Sequence, residues 1–376
     1  MRKNLQDHGN ITWKEGYEMN QQILESPADK YLQEDLENIA DSTIPVEELK
    51  GSSILVTGAT GLVGSQMVRS LACINRKKRT DIRILALVRS SEKAREIFGD
   101  LLDRGDIELI LADLQDPLCV EESVDFIIHG AAVTASKLMV SKPVETIRTA
   151  ISGTENILKL ALTKKVKSMV YLSSMEVYGT WDGCGVVTED KMGYVNPLVV
   201  RSNYPESKRM CENMCIAYLS EYHVPVRIAR LAQTFGAGIL PGENRVFAQF
   251  ARSAMNGADI VLHTTGQSEG NYCYTADTIR AILTILVSGK DGEAYNISNE
   301  ETHTTIAEMA EFAAEKLANG KIKVVFEIPE KNTFGYAADT KMKLSSAKMR
   351  SLGWKPYYSL EDCYRRMMGS MRETEK

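Results

Sequence analysis

The stretch SILVTGATGLVG at residues 53–64 decides the fold of this chain. Its apolar beginning is typical of a buried strand, and three glycines follow at once: Gly58, Gly61 and Gly64, spaced as G-x-x-G-x-x-G. A glycine permits a tight turn that a Cβ would resist. The stretch therefore predicts a strand that turns sharply into a helix, with the unpaired N–H groups of the helix N-terminus available to a phosphate.

Strand-like and helix-like segments alternate around and beyond this stretch. The apolar runs are Ile54–Thr57, Ile82–Val88, Ile107–Leu111, Phe126–His129, Ser168–Leu172 and Val226–Leu231. Amphipathic segments with helical spacing lie between them, including Leu62–Leu71, Pro143–Leu162 and Tyr204–Tyr222. This alternation predicts a parallel sheet covered by helices on both faces, which is the α/β, Rossmann-type doubly wound fold.

The length of 376 residues suits more than one hydrophobic core. Residues 1–50 are polar and lack a strand signal, but Ala28–Ala40 has apolar residues at helical spacing, so we expect a helical N-terminal extension. Residues 51–235 are expected to form the Rossmann domain. After Gly236 the alternation loosens, which predicts a smaller α/β substrate domain over residues 236–376, with some segments returning to the first sheet.

Composition argues against several functional classes. The formal net charge is −5, whereas a nucleic-acid partner demands a basic face. A local basic run, Arg76–Arg79, is expected to be a solvated turn. No apolar stretch suits a membrane span or a signal peptide. Seven scattered Cys without a C-x-x-C pair indicate a reducing, cytoplasmic compartment and no metal site, and Cys211 and Cys215 are expected to pack inside the protein.

A strand, glycine loop and helix in this order form the pattern that binds a dinucleotide. We expect the cofactor to contact the loop and the first helical turn through Gly58, Thr60, Gly61, Leu62, Val63 and Gly64. Arg89 ends the second run, where an acidic residue would bind an unmodified ribose. Arg89 therefore favours NADP over NAD, unless it is a surface charge. Asp113, after the third run, either binds the adenine amino group or caps a helix.

Three further residues form a candidate catalytic set. Ser174 follows the fifth run, and Tyr204 and Lys208 stand four residues apart on one predicted helix face. A phenol with a pKa near 10 is a poor base at neutral pH, and a nearby ammonium would lower that pKa. Tyr204 would then take a proton from a sugar hydroxyl while hydride leaves for the nicotinamide, with Ser174 hydrogen-bonded to the same oxygen. The alternative is a surface Tyr–Lys pair. In either case the apolar face of the helix is expected to consist of Met210, Met214, Ala217 and Tyr218.

Together these pieces resemble the extended short-chain dehydrogenase/reductase family, in its nucleotide-sugar epimerase/dehydratase branch, over about residues 52–370. Further matching motifs are His129-Gly130-Ala131-Ala132, Gly153-Thr154-Glu155-Asn156, Arg230–Gly236, Tyr295-Asn296-Ile297-Ser298 and Leu352–Pro356. The resemblance implies an enzyme that uses NAD or NADP, favouring NAD in contrast to Arg89, and a homodimer formed through the helix Tyr204–Tyr222. It also implies cofactor contacts from Leu114, Ala131, Ala132, Tyr204 and Lys208, and substrate contacts from Thr134, Ser174 and Gln233.

The resemblance further implies the reaction: the sugar is oxidised at C4, the 4-keto sugar rearranges, and the hydride returns. Dehydratases of the family carry Asp-Glu after the serine, where this chain has Met175-Glu176, and a thioether has no proton to donate. This leaves 4-epimerisation or decarboxylation of a nucleotide sugar, with Glu176 either catalytic or merely packed. Two alternatives stay open: a 4-keto-sugar reductase that consumes NADPH, and a non-catalytic protein that senses the dinucleotide.

Three positions depart from the family's pattern. Gln233 stands where an Asn usually contacts the diphosphate, and Ala150 replaces a frequent Asn. Gly270 occupies the slot of an Arg that grips the diphosphate, a bidentate contact that a glycine cannot make. Either Arg245 supplies the missing cation, or the substrate is not an ordinary nucleoside-diphosphate sugar. Arg245 is otherwise a surface charge.

Overall fold

The computed structural model describes residues 23–181, 185–240, 242–329 and 340–374. Its strands are β1 Ser53–Thr57, β2 Arg83–Val88, β3 Ile107–Leu111, β4 Phe126–His129, β5 Ser168–Ser174, β6 Val226–Leu231, β7 Gln233–Phe235, β8 Ile260–Leu262, β9 Glu269–Tyr274, β10 Ala294–Ile297, β11 Asn299–Thr305 and β12 Val324–Phe326. Its α-helices are α1 Lys30–Ala40, α2 Leu62–Lys78, α3 Ser91–Phe98, α4 Ser136–Ser141, α5 Pro143–Lys164, α6 Asn203–Tyr222, α7 Val246–Asn256, α8 Thr275–Ser288, α9 Ile306–Phe312, α10 Ala347–Arg350 and α11 Leu360–Thr374. Within these residues, no helix is long and apolar enough to cross a bilayer.

Seven parallel strands form the main sheet, in the order β10-β6-β5-β4-β1-β2-β3. Every residue of β1 is buried, and its side chains alternate between two hydrophobic cores: Ile54 and Val56 lie in one, and Leu55 lies in the other. Because successive side chains of a strand point to opposite faces, a strand buried throughout must be covered on both sides. The structure confirms the doubly wound parallel fold that the sequence predicts.

Two small sheets are formed by strands that come after β6 in the chain. One contains β7, β9 and β11, with β9 parallel to β7 and antiparallel to β11, and the other pairs β8 with β12. In the chain, β10 lies between β9 and β11, but it pairs with β6 in the main sheet. The C-terminal part of the chain therefore contributes to both regions, and the proposed domain boundary at residue 235 stays a prediction.

The helical N-terminal extension is present as α1. The carboxylate of Asp29 caps it by accepting hydrogen bonds from the N–H groups of Tyr31 and Leu32, both at 3.1 Å. Its apolar side chains, including Leu36 and Ile39, are buried where α1 contacts α2, α8 and α11. The extension from residue 23 onward is therefore part of the folded core of this protein, and residues 1–22 lie outside the described residues.

The interpretation of Arg76–Arg79 as a solvated turn is wrong. Most of this run forms the last turn of α2, where basic side chains interact favourably with the helix dipole. The guanidinium of Arg76 lies 2.9 Å from the carboxylate of Glu25, which is fully buried. Lys77 pairs with Asp41 at 2.6 Å. The basic run thus holds the N-terminal extension against α2.

Candidate active site

A cleft of about 490 Å³ opens along the carboxyl ends of the parallel strands. Its walls come from the chain just after β1, β2, β4, β5 and β6, where a doubly wound sheet forms its binding crevice. All the predicted cofactor, catalytic and substrate residues line this cleft: Gly58, Thr60, Gly61, Leu62, Val63, Gly64, Arg89, Asp113, Leu114, Ala131, Ala132, Thr134, Ser174, Glu176, Tyr204, Lys208, Gln233 and Arg245.

The glycine loop joins β1 to α2 and lines the cleft. Gly58 has a φ of +70°, and a Cβ there would lie 2.9 Å from the backbone of Ala131. At Gly64 a Cβ would lie 2.1 Å from the carbonyl oxygen of Gly58, so only glycine lets the helix approach the loop this closely. Gly61 precedes α2 and offers no side-chain cap, so the first N–H groups of the helix are left for another acceptor. This geometry suits the pyrophosphate of a dinucleotide.

Two cations line the cleft beside the end of β2. Arg89 is exposed, and Lys93, one helical turn later in α3, is exposed on the same wall. Lys93 was missed in the sequence analysis, although its spacing of four residues from Arg89 is a usable signal. The other candidate here, Asp113, accepts a hydrogen bond from the backbone N–H of Gln115 at 2.9 Å. Its carboxylate therefore shapes a turn and does not cap a helix.

Ser174, Tyr204 and Lys208 lie along one wall of the cleft. Ser174 ends β5, and Tyr204 and Lys208 lie in the first turns of α6, which packs against β5. The Nζ atom of Lys208 is buried, donates to the carbonyl oxygen of Leu172 at 2.7 Å, and lies 5.9 Å from the centre of the Tyr204 ring. The fold thus brings a hydroxyl, a phenol and an ammonium to the same part of the cleft.

The pKa of Tyr204 is shifted in the direction opposite to that predicted. Burial, the largest cause, and the negative charge of Glu176 raise the pKa of Tyr204 to about 12, against smaller opposing effects from Ser174, Arg201 and Arg245. The predicted lowering by Lys208 is wrong for this structure. Burial lowers the pKa of Lys208 itself to about 8. The phenol of Tyr204 therefore keeps its proton at neutral pH here.

Glu176 has a partner that the sequence analysis missed. A guanidinium N–H of Arg201 donates to Oε1 of Glu176 at 3.0 Å, and the guanidinium lies 5.8 Å from the centre of the Tyr204 ring. Because Glu176 raises the pKa of Tyr204 and Arg201 lowers it, the pair adjusts the charge around the phenol. The two residues are 25 positions apart and share no motif, so the pair is visible only in the folded structure.

The lining of the cleft also includes the predicted substrate residues. Thr134, Gln233 and Arg245 line it, and Arg245 forms an ion pair at 2.5 Å with Glu243, which lines it as well. The charge of Arg245 is therefore partly neutralised before any ligand is considered. Gly270 lies within β9 and is not among the described residues that line the cleft, and a Cβ there would meet no atom of the described chain within 4 Å. The fold leaves room at position 270 for a side chain that this chain lacks.

Comparison with known proteins bears on this site. The model of the NAD dependent epimerase/dehydratase family matches residues 54–298. UDP-glucuronic acid decarboxylase 6 of Arabidopsis thaliana is 32% identical over 311 residues, covering 82% of this chain and 85% of that protein. The dTDP-glucose 4,6-dehydratase of Streptomyces venezuelae, solved with NAD bound, superposes with a TM-score of 0.72 at 25% identity, covering 86% of this chain and 98% of that chain. The UDP-glucose 4-epimerase of Thermotoga maritima shares the fold, with a TM-score of 0.73 at 22% identity and coverage of 86% and 100%.

Proposed function

Since this chain belongs to the NAD dependent epimerase/dehydratase family, we propose that it modifies a nucleoside-diphosphate sugar through oxidation at C4 to a 4-keto intermediate. The observation that carries the proposal is that Ser174, Tyr204 and Lys208 line the same cleft as the glycine loop. A glycine loop alone or a Tyr–Lys pair alone has many explanations. Their convergence supports hydride chemistry coupled to proton transfer.

The residues present fit a nicotinamide dinucleotide. The close approach at Gly64 and the uncapped start of α2 suit its pyrophosphate. When bound, the oxidised nicotinamide supplies a hydride acceptor and a positive charge. A positive charge beside Tyr204 would favour its phenolate and so act against the rise of its pKa that burial causes. The phenolate of Tyr204 would then take the proton of the C4 hydroxyl, and Ser174 would hydrogen-bond to the same oxygen as it becomes a carbonyl. Lys208 would hold the nicotinamide ribose.

The residues after Ser174 narrow the reaction that follows oxidation. Met175 lines the cleft where an acid for water loss would stand, and its thioether donates no proton. The carboxylate of Glu176 remains close to Tyr204 and is paired with Arg201. We therefore favour 4-epimerisation or decarboxylation over 4,6-dehydration, and the similarity to a plant decarboxylase keeps the second reaction in view.

A screen of UDP-, GDP-, CDP- and dTDP-sugars tests the proposal. Purified protein is incubated with each sugar without added cofactor, and the products are separated and analysed by mass spectrometry. Epimerisation gives a product of unchanged mass at a new retention time, whereas decarboxylation of a uronic acid removes the mass of CO₂. If no sugar nucleotide binds or reacts, with or without added NAD and NADP, the proposed function is wrong.

The cations beside β2 favour a second candidate, an NADPH-dependent reductase of a 4-keto sugar. Arg89 and Lys93 line the cleft where the adenosine ribose is expected, and two cations suit a 2′-phosphate. A reductase consumes one reduced cofactor per sugar, so the reduced-nicotinamide absorbance falls in step with product. An epimerase or decarboxylase that retains its cofactor leaves that absorbance unchanged.

We predict that Arg89→Asp changes the choice of cofactor. The variant is expected to bind NADP about ten- to a hundredfold more weakly relative to NAD, because a charge-assisted hydrogen bond is replaced by repulsion. Titration of each dinucleotide into the purified protein measures the two dissociation constants. Arg95→Asp, on the exposed side of α3 away from the cleft, is the matched control and should preserve the ratio. An unchanged ratio in Arg89→Asp would show that Arg89 does not contact the phosphate.

We also propose that the chain forms a homodimer through α5 and α6. Of the predicted apolar face of α6, Met214 and Tyr218 are partly buried against the core, whereas Met210 and Ala217 are exposed in the single chain. The residues of this helix that are buried include Lys208, Cys211 and Cys215. The two helices pack side by side, and α5 adds other exposed apolar residues, Val144 and Ile147. Apolar residues clustered on exposed helices are typical of a subunit interface.

Ile147→Asp is expected to convert the dimer to a monomer, because a charge would be buried between the subunits. Analytical ultracentrifugation measures the mass in solution. The control is Phe326→Asp, which places the same charge at an exposed apolar residue of β12 and should remain dimeric. A monomeric parent protein, or a dimeric Ile147→Asp variant, would contradict an interface at this place.

A further inference from the structure

The N-terminal extension contacts a stretch of chain that leaves the lining of the cleft and then returns to it. We define the cleft loop as residues 236–240 and 242–245. It follows β7, whose first residue Gln233 lines the cleft, and it returns to the cleft at Leu240, Glu243 and Arg245. Between these points its backbone at Ala237 and Gly238 is held by buried groups. Groups that fix the backbone at Ala237 and Gly238 therefore also limit where Leu240, Glu243 and Arg245 line the cleft.

The first contact runs from Asp29 through Ser370 to Gly238. The N–H of Gly238 donates to Oγ of Ser370 at 2.8 Å, and that hydroxyl donates to the carboxylate of Asp29. Asp29 and Ser370 are both buried. Loss of Ser370 would leave the N–H of Gly238 without this acceptor, and loss of Asp29 would leave the buried hydroxyl of Ser370 without its own. Because an unpaired donor is destabilising, either loss favours a different path for the loop backbone.

The second contact runs from Asp35 through Tyr274 to Ala237. The N–H of Ala237 donates to the phenolic oxygen of Tyr274 at 3.2 Å, and Tyr274 donates to the carboxylate of Asp35. Asp35 and Tyr274 are buried, and Arg366 of α11 forms an ion pair with Asp35 at 2.8 Å. Two carboxylates of the extension thus hold consecutive backbone N–H groups of the loop.

Packing reinforces these hydrogen bonds. Gly238 has a φ of +71°, and a Cβ at this position would lie 2.8 Å from Cδ2 of Leu32 in α1. Leu32 is itself buried. The cleft loop therefore passes α1 at a distance and in a backbone conformation that other residues would not tolerate.

The extension is also anchored at a place that does not involve the loop. Glu25 forms ion pairs with Arg76 at 2.9 Å and with Arg104 at 2.8 Å, and the carboxylate is fully buried. These partners belong to α2 and to the approach to β3. Disturbing Glu25 therefore loosens the extension without removing either contact to Ala237 or Gly238.

We propose that the N-terminal extension is a positioning element for the substrate half of the cleft. Through Asp29 and Asp35 it sets the path of the cleft loop and hence the affinity for the nucleotide sugar, while the dinucleotide half is unaffected. The inference rests on the proposed function for the identity of the ligand. The family match begins at residue 54, so this element lies outside the region that the family model covers.

The experiment compares Asp29→Ala, Ser370→Ala and their double variant with Glu25→Gln, all in the full-length chain. Amide hydrogen exchange is measured over residues 236–240, and dissociation constants are measured for UDP, GDP, CDP and dTDP and for NAD. The first two variants are expected to accelerate exchange in the loop and to weaken diphosphate binding by about three- to tenfold, the size of one buried hydrogen bond. Affinity for NAD should stay unchanged. The double variant should match the stronger single variant, since the residues act in one chain of hydrogen bonds.

Glu25→Gln serves as the matched control, because it removes a buried charge of the same extension. It should lower the melting temperature yet leave loop exchange and diphosphate affinity as in the parent protein. The proposal is overturned if exchange in the loop is unchanged in Ser370→Ala, or if Glu25→Gln weakens diphosphate binding as much as Asp29→Ala does. If the parent protein binds none of the four diphosphates, the proposed function fails, and the exchange data alone decide whether the extension anchors the loop.

Discussion

Turnover of the Tyr204→Phe variant is expected to fall by about 10²–10⁴-fold, the usual contribution of a positioned acid–base group. The substitution removes one oxygen and keeps the ring, so the packing of α6 against β5 should survive. The affinity for the dinucleotide should change little, since the glycine loop is untouched. Steady-state kinetics on the sugar nucleotide found in the screen, together with cofactor titration, measure both quantities.

Tyr218→Phe is the matched control for this variant. Tyr218 lies on the same helix but does not line the cleft, so its turnover should equal that of the parent protein. Unchanged turnover in Tyr204→Phe would remove Tyr204 from the mechanism and support a protein that binds a dinucleotide without catalysis. A loss of both turnover and cofactor affinity would instead mean that Tyr204 mainly holds the cofactor.

Replacing Lys208 by methionine is expected to reduce turnover about as strongly and at the same time to stabilise the fold at neutral pH. Lys208 is buried, and burial lowers its pKa from 10.5 to about 8. Its charged form is therefore disfavoured in the folded chain, by roughly 3 kcal/mol at neutral pH. The lost hydrogen bond to the carbonyl oxygen of Leu172 offsets only about 1 kcal/mol of this gain.

The pH dependence of this effect follows from the two pKa values of Lys208. Below pH 8 both the folded and the unfolded chain carry the proton, and the folded chain bears the full cost of the buried charge. Between pH 8 and pH 10.5 the folded chain releases its proton first, so the stability of the parent protein rises relative to the variant. The melting temperature of Lys208→Met should therefore exceed that of the parent at pH 7, and the advantage should disappear as the pH passes 10.5.

Lys159→Met provides the comparison for an exposed lysine. Lys159 pairs with Glu155 on the surface of α5, so its removal should bring no gain in melting temperature at pH 7. A Lys208→Met variant that melts below the parent protein at every pH would show that burying the charged form of Lys208 does not destabilise the folded chain. A variant with full turnover would show that Lys208 has no part in the reaction.

Local sequence patterns were sufficient to predict the main sheet. The ends of β3, β4 and β6 agree with the predicted runs, because each is a short stretch rich in apolar and β-branched residues. Polar residues do occur inside two of them, Glu108 in β3 at the edge of the sheet and Arg227 and Arg230 in β6. α2 extends to Lys78, seven residues beyond the predicted Leu71. In sequence, its basic last turn resembles a solvated loop. In the structure this turn is helical, and acidic partners in the N-terminal extension pair with it, which no local pattern reveals.

The candidate site was predictable where it depends on backbone geometry and less so where it depends on charge. The glycines and the positions of Ser174 and Tyr204 follow from motif spacing. The orientation of α6 does not, because its buried face includes a lysine, a glutamate and two cysteines, whereas Met210 points outward. The raised pKa of Tyr204 depends on its burial and on Glu176, and Glu176 is in turn paired with Arg201. These contacts connect distant parts of the chain, so no local pattern reveals them.

The return of β10 to the main sheet has a consequence for biosynthesis. Until Ala294–Ile297 leaves the ribosome, β6 remains an open edge with unpaired N–H and C=O groups, which are a template for pairing with another chain. A fragment that ends after β7 would carry this edge permanently and is expected to aggregate. The sequence from Gly236 to Ile297 must therefore be made before the nucleotide-binding half can complete its own sheet.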